Sequence, residues 1–171
     1  MKLNLGIVFL SASLAFAAQA QATTLPDACR DDKIKFDVKT EANQLAPAPP
    51  AAGKAQVILI EDNNQIVNGF TFSHATVRYG LDGAWVGANN GSSYFALSVD
   101  PGVHHLCANW QGHKHDVHAT SFTAESGKTY YFAANVTVES KEVITFGLAQ
   151  LNDDEGKYRV KALKLSTWKS K

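Results

Sequence analysis

From position 55 onward the chain alternates apolar and polar residues with a period of two, in one short run after another. Val77, Tyr79 and Leu81 alternate with Thr76, Arg78 and Gly80, and Phe95, Leu97 and Val99 with Tyr94, Ala96 and Ser98. Leu106, Ala108 and Trp110 repeat the pattern, as do Tyr130, Phe132, Ala134, Val136 and Val138, then Ile144, Phe146 and Leu148. Side chains two apart on extended backbone share a face, so each run reads as a strand with one buried side. AQVILIE, at 55–61, is apolar almost throughout and reads as a strand buried on both faces. Asp82-Gly83, Asn90-Gly91 and Asp100-Pro101-Gly102 stand between runs, where glycine supplies positive φ and proline presets a reversal. No long helical periodicity intervenes. The pattern predicts an all-β fold, an antiparallel β-sandwich of about seven strands. In the C-terminal stretch NDDEGKYRVKALKLSTWK, acidic residues before basic ones favour a short helix from near Asp153, although Gly156 opposes it and Tyr158, Val160 and Ala162 would suit a strand.

The first 22 residues carry Lys2, an apolar stretch from Leu5 to about Phe16, and small residues through Ala18-Gln19-Ala20-Gln21-Ala22. They read as a cleaved secretory signal peptide, the apolar run being shorter than the roughly 20 residues a membrane span needs. Cleavage can follow Ala20 or Ala22, and with the preferred Ala22 the mature chain is expected to start at Thr23, in a periplasmic or secreted setting of a bacterium, without stable membrane insertion. Residues 23–53 form an arm and a Pro/Ala-rich linker: KIKFDVK places Ile34, Phe36 and Val38 on one strand face, and EANQLAPAPPAAG disfavours both helix and central strand. Residues 54–171 form the sandwich domain.

Export gives the two cysteines a meaning. Cys29 and Cys107 are the only intramolecular pair available in an oxidising compartment, against an intermolecular bridge or two free thiols. Their bond would close a loop of about 80 residues and contribute about 4–5 kcal/mol in the chain-entropy account. With Leu106, Ala108 and Trp110 facing the core, Cys107 points to the other face of its sheet with Val103 and His105, so the bond would staple the arm outside.

Sixteen basic residues balance 16 acidic ones, which leaves no electrostatic footprint for nucleic acid. The stretch TVRYGLDGAWVGANNGSSYFALSVDPGVHHLCANWQ, with FTAESGKTYYFAANV, resembles the bacterial family of unknown function DUF2846, in a pattern similar to PEGA-type surface modules. The resemblance spans about 54–151 through Leu81, Asp82, Gly83, Val86, Gly87, Tyr94, Pro101, Gly102, His104, Ala124, Gly127 and Tyr130. It implies an exported β-sandwich and carries over no reaction.

Two groups of residues suggest chemistry. His113 and His115 would share a face of extended backbone about 7 Å apart, with His118 or Asp116 completing a site for Zn²⁺, Ni²⁺ or Cu²⁺. The competing reading is a solvated hairpin loop and no cofactor. Trp85, with Asn89 and Asn90 on its hairpin, would offer a stacking and hydrogen-bonding surface to a sugar or peptide. In the adjacent pair His104-His105 residue parity places one ring inward and one outward, which reads as a buried, hydrogen-bonded histidine and not a ligand. There is no G-x-S-x-G, no phosphate-binding glycine loop and no spacing that marks a triad, and Asp153, Asp154 and Glu155 suit a helix start. The expectation is a non-enzymatic binding or structural module of the cell envelope whose partner is an envelope protein or glycan. The alternative is a periplasmic transition-metal-binding protein.

Overall fold

The structure is a computed structural model that describes Cys29 and residues 33–41, 46–62, 66–67, 70–71, 76–112, 117–138 and 144–171. Among these, twelve strands and one helix follow one another: β1 (Phe36–Glu41), β2 (Ala55–Glu61), β3 (Ile66–Val67), β4 (Phe70–Thr71), β5 (Thr76–Leu81), β6 (Ala84–Asn90), β7 (Ser93–Val99), β8 (Gly102–Trp110), β9 (Val117–Ala124), β10 (Thr129–Val138), β11 (Ile144–Leu151), α1 (Asp153–Val160) and β12 (Lys164–Ser170). Six strands form one sheet, in the order β1-β12-β7-β2-β10-β11. Four form a second, β6-β5-β8-β9, and β3 pairs with β4 alone.

The two larger sheets pack face to face as the alternation requires. Ala55, Val57, Leu59, Phe95, Phe132 and Phe146 of one meet Val77, Tyr79, Leu106, Ala108 and Phe122 of the other in a single core. Phe122 has ring centroids 4.9 Å from Phe132 and 5.4 Å from Tyr130, contacts worth about 0.5–1.5 kcal/mol each beyond area burial. All seven residues of β2 are buried, as its near-continuous apolar run predicts. Ile58 and Ile60 project to the far side, where Tyr94, Tyr131, Val160 and Leu163 join them beneath α1. The molecule is thus an all-β sandwich with a short C-terminal helix on one outer face.

Pairing in the larger sheet is mixed. β2 runs antiparallel to β7 but parallel to β10, and β12 is parallel to β7 over Lys164↔Ser93 and Leu165↔Tyr94. The four-stranded sheet is antiparallel throughout. Turn chemistry predicts which neighbours form hairpins, whereas a parallel partner arrives from a distant part of the chain and leaves no local signature.

Gly156, which weakens the helix on propensity grounds, has a packing reason: a Cβ there would overlap the ring of Tyr131, so glycine lets α1 settle on the sheet. Asn152 caps the helix by accepting from Glu155 N at 2.9 Å, and Lys157–Asp153 and Arg159–Glu155 pairs follow at one-turn spacing. After leaving β7, β12 pairs along its length with β1 and brings Trp168 against Phe95, with ring centroids 4.4 Å apart. A Cβ at Gly87 would lie 2.7 Å from the Trp168 ring, so that position admits only glycine without a shift.

Candidate functional site

The disulfide between Cys29 and Cys107 is formed, with Cα atoms 6.3 Å apart, and staples the arm to the outer face of the four-stranded sheet. The buried Arg78 supports it there: Nη1 donates to Ile34 O at 2.5 Å, Nε donates to Asn109 Oδ1 at 2.8 Å, and the guanidinium lies 4.6 Å from the Trp85 ring. Phe36 packs edge-on against the same indole, and the Gln111 side chain bonds both the N–H and the carbonyl of Phe36.

This arrangement separates the three residues expected to form a hairpin surface. A β-bulge where Tyr79 and Gly80 pair with β6 shifts the register by one residue and leaves Trp85 opposite Gly80, on the outer face against Arg78 and Phe36. Asn89 is fully buried between the sheets and donates from Nδ2 to Leu59 O at 2.8 Å. Asn90 stays at the hairpin and donates from Nδ2 to Thr76 Oγ1. Trp85, Asn89 and Asn90 therefore face three environments, a correction to the single surface that adjacency in sequence suggested.

Of the histidines expected to hold a metal, His113 and His115 lie outside the described residues, as does Asp116. His118 is exposed on β9, its ring 5.5 Å from that of Phe146. Among the described residues no group of three or more His, Cys, Asp or Glu side chains is placed to hold a metal ion.

His104 occupies one end of the sandwich. Its Nδ1 lies 2.6 Å from Asp82 Oδ2 and its Nε2 lies 2.7 Å from Asp100 O, while Asp82 Oδ1 accepts from His105 N. Burial works against charge on this ring, but the Asp100 carbonyl and the Asp82 carboxylate outweigh it and raise the pKa above the ordinary histidine value. An Asp–His pair suggests a general base, yet the second nitrogen, which a base needs for its substrate, is occupied by the Asp100 carbonyl.

The concave feature with converging polar groups lies on the other outer face. The Pro/Ala connector crosses the six-stranded sheet there, held by Gln56 Nε2 donating to Ala48 O at 2.8 Å. Between connector and α1 opens a groove of about 580 Å³, within the roughly 300–1,000 Å³ of small-molecule sites. Pro47, Pro49 and Pro50 form one wall, Ile58, Thr129 and Tyr131 the floor, and Lys157, Val160 and Lys161 the far side. Across the connector a second depression of about 640 Å³ lies over the divergence of β7 and β12, lined by Tyr94, Ala96 and Trp168 among others. The groove beside α1 is the better candidate because Tyr131, Lys157 and Lys161 all line it. The connector supplies this wall, and its signal in the sequence is three prolines within four residues, a segment that donates no hydrogen bonds at those positions and keeps its shape.

Neither protein-family models nor curated proteins produce a match to this chain. Among the described residues no helix is long and apolar enough to cross a membrane.

Proposed function

We propose that this protein is an exported, non-enzymatic binding module of the bacterial cell envelope, and that its ligand lies in the groove between the connector and α1. The carrying observation is the convergence of a rigid proline wall, an apolar floor and a few polar groups around one space of ligand size. The leader-like first 22 residues and the buried Cys29–Cys107 bond support export, since such bonds persist in oxidising compartments. The DUF2846-type resemblance supports an envelope setting. The apolar wall favours an apolar or amphipathic occupant over a glycan, which would ask for more hydrogen-bonding groups than this surface offers.

Fluorescence of the neutral apolar dye Nile red tests the reading. The mature, oxidised protein is expected to enhance it saturably, and Thr129→Trp, which fills the groove from the start of β10, is expected to abolish the enhancement with the melting temperature unchanged. Equal enhancement by wild type and variant would remove the groove as the binding site.

A further inference from the structure

Resting on that groove reading, we infer that the occupant is a small amphipathic anion: a carboxylate on an apolar acyl or aryl body, with the carboxylate at Tyr131 and Lys161 and the body along the connector. The floor carries the first part of the argument. Tyr131 is 5% exposed, its ring held under Gly156, and it lines the groove, yet its hydroxyl bonds to no described protein group. The hydroxyl is therefore open to a ligand, and one that accepts from it has an advantage over one that cannot. Burial, together with the nearby Asp153 carboxylate, raises the phenol above its ordinary range despite Lys157, so it stays protonated and donates.

The charge comes from the helix. Lys157 closes on Asp153 at 2.6 Å, and that pair is neutral as a unit. Lys161 lines the groove and meets no carboxylate among the described residues, and no carboxylate lines the space. Basic side chains complement a helix C-terminus in general, a role that Lys157 and Arg159 already fill in the last turn. Lys161 follows as the C-cap residue and adds one net positive charge to a groove whose floor carries one donor, together the complement of a carboxylate.

The walls define the remainder of the ligand. Pro47, Pro49 and Pro50 have no N–H, and the Gln56 amide is engaged with Ala48 and Thr129. The connector wall thus offers no N–H donor at its prolines, and an acyl or aryl body packed on their rings loses water without stranding one.

Calorimetric titration with octanoate and with 1-octanol separates the contributions. Octanoate is expected to bind the oxidised mature protein, with 1-octanol about tenfold weaker. Lys161→Glu should weaken octanoate about tenfold and leave 1-octanol unchanged. Tyr131→Phe, which keeps the ring on Gly156, should weaken octanoate about fivefold. Equal affinity for the two probes, or full octanoate affinity in Lys161→Glu, overturns the anionic inference and leaves the groove reading standing. Absence of octanoate binding while Nile red still binds also overturns the inference alone; absence of binding by all three probes overturns both.

Discussion

The Asp82 carboxylate and the His104 imidazole meet at 2.6 Å, and the other ring nitrogen of His104 meets the Asp100 carbonyl at 2.7 Å. Both partners accept, and only the imidazolium donates from both nitrogens. Protonated His104 therefore ties the Asp82-Gly83 turn to the turn at Asp100-Pro101-Gly102. Lys54 Nζ holds the second turn from outside, 2.6 Å from Asp100 Oδ1.

The pH dependence of this latch follows from the raised pKa. A histidine whose folded pKa exceeds its unfolded value, roughly 6.5, contributes its full stabilisation below that unfolded value and loses it as pH rises through the folded pKa. Urea denaturation of wild type and His104→Gln at pH 5.5 and at pH 8.5 is expected to show the wild type ahead by about 1–2 kcal/mol at the lower pH and by less at the higher. A gap that grows with pH would refute the latch.

The arm is expected to loosen independently of the sandwich. β1 remains paired with β12 through six residue pairs whatever the state of the sulfurs, whereas Cys29 has its covalent tie at Cys107. In Cys29→Ala/Cys107→Ala, amide exchange should quicken ahead of β1 and stability should fall by about 2–5 kcal/mol, with the sandwich still folded at 25 °C. Loss of all β structure on removing the bond in mild buffer would contradict this.

Gly156→Ala separates helix propensity from packing. Alanine favours a helix interior by about 1 kcal/mol, but its Cβ would overlap the Tyr131 ring, and overpacking a core costs about 1–3 kcal/mol. Chemical denaturation is expected to show net destabilisation; a more stable variant would mean that α1 does not rest on Tyr131.

What was legible in the residues was whatever short-range periodicity encodes. The burial of AQVILIE on both faces, the outward turn of Cys107, the hairpin at Asp82-Gly83 and the helix from Asp153 all follow from a spacing or a turn residue. The place of Asn89 is not legible because a polar residue beside a glycine turn ordinarily faces water; here Leu59 O accepts from its amide inside the core. The groove is not legible because its walls are far apart in the chain: Pro47 and Lys161 line one space over the sheet in which β2 and β10 pair in parallel.

Amide chemical-shift mapping of the isotope-labelled, oxidised protein on addition of Nile red tests the central claim, that the connector and α1 enclose a binding site. The prolines carry no N–H, so the signal must come from the floor and the helix. The account predicts shifts concentrated at Gln56, Ile58, Thr129, Tyr131, Lys157, Val160 and Lys161. Shifts centred on the Trp85 hairpin or on His113–His118, with these seven amides unmoved, would contradict it.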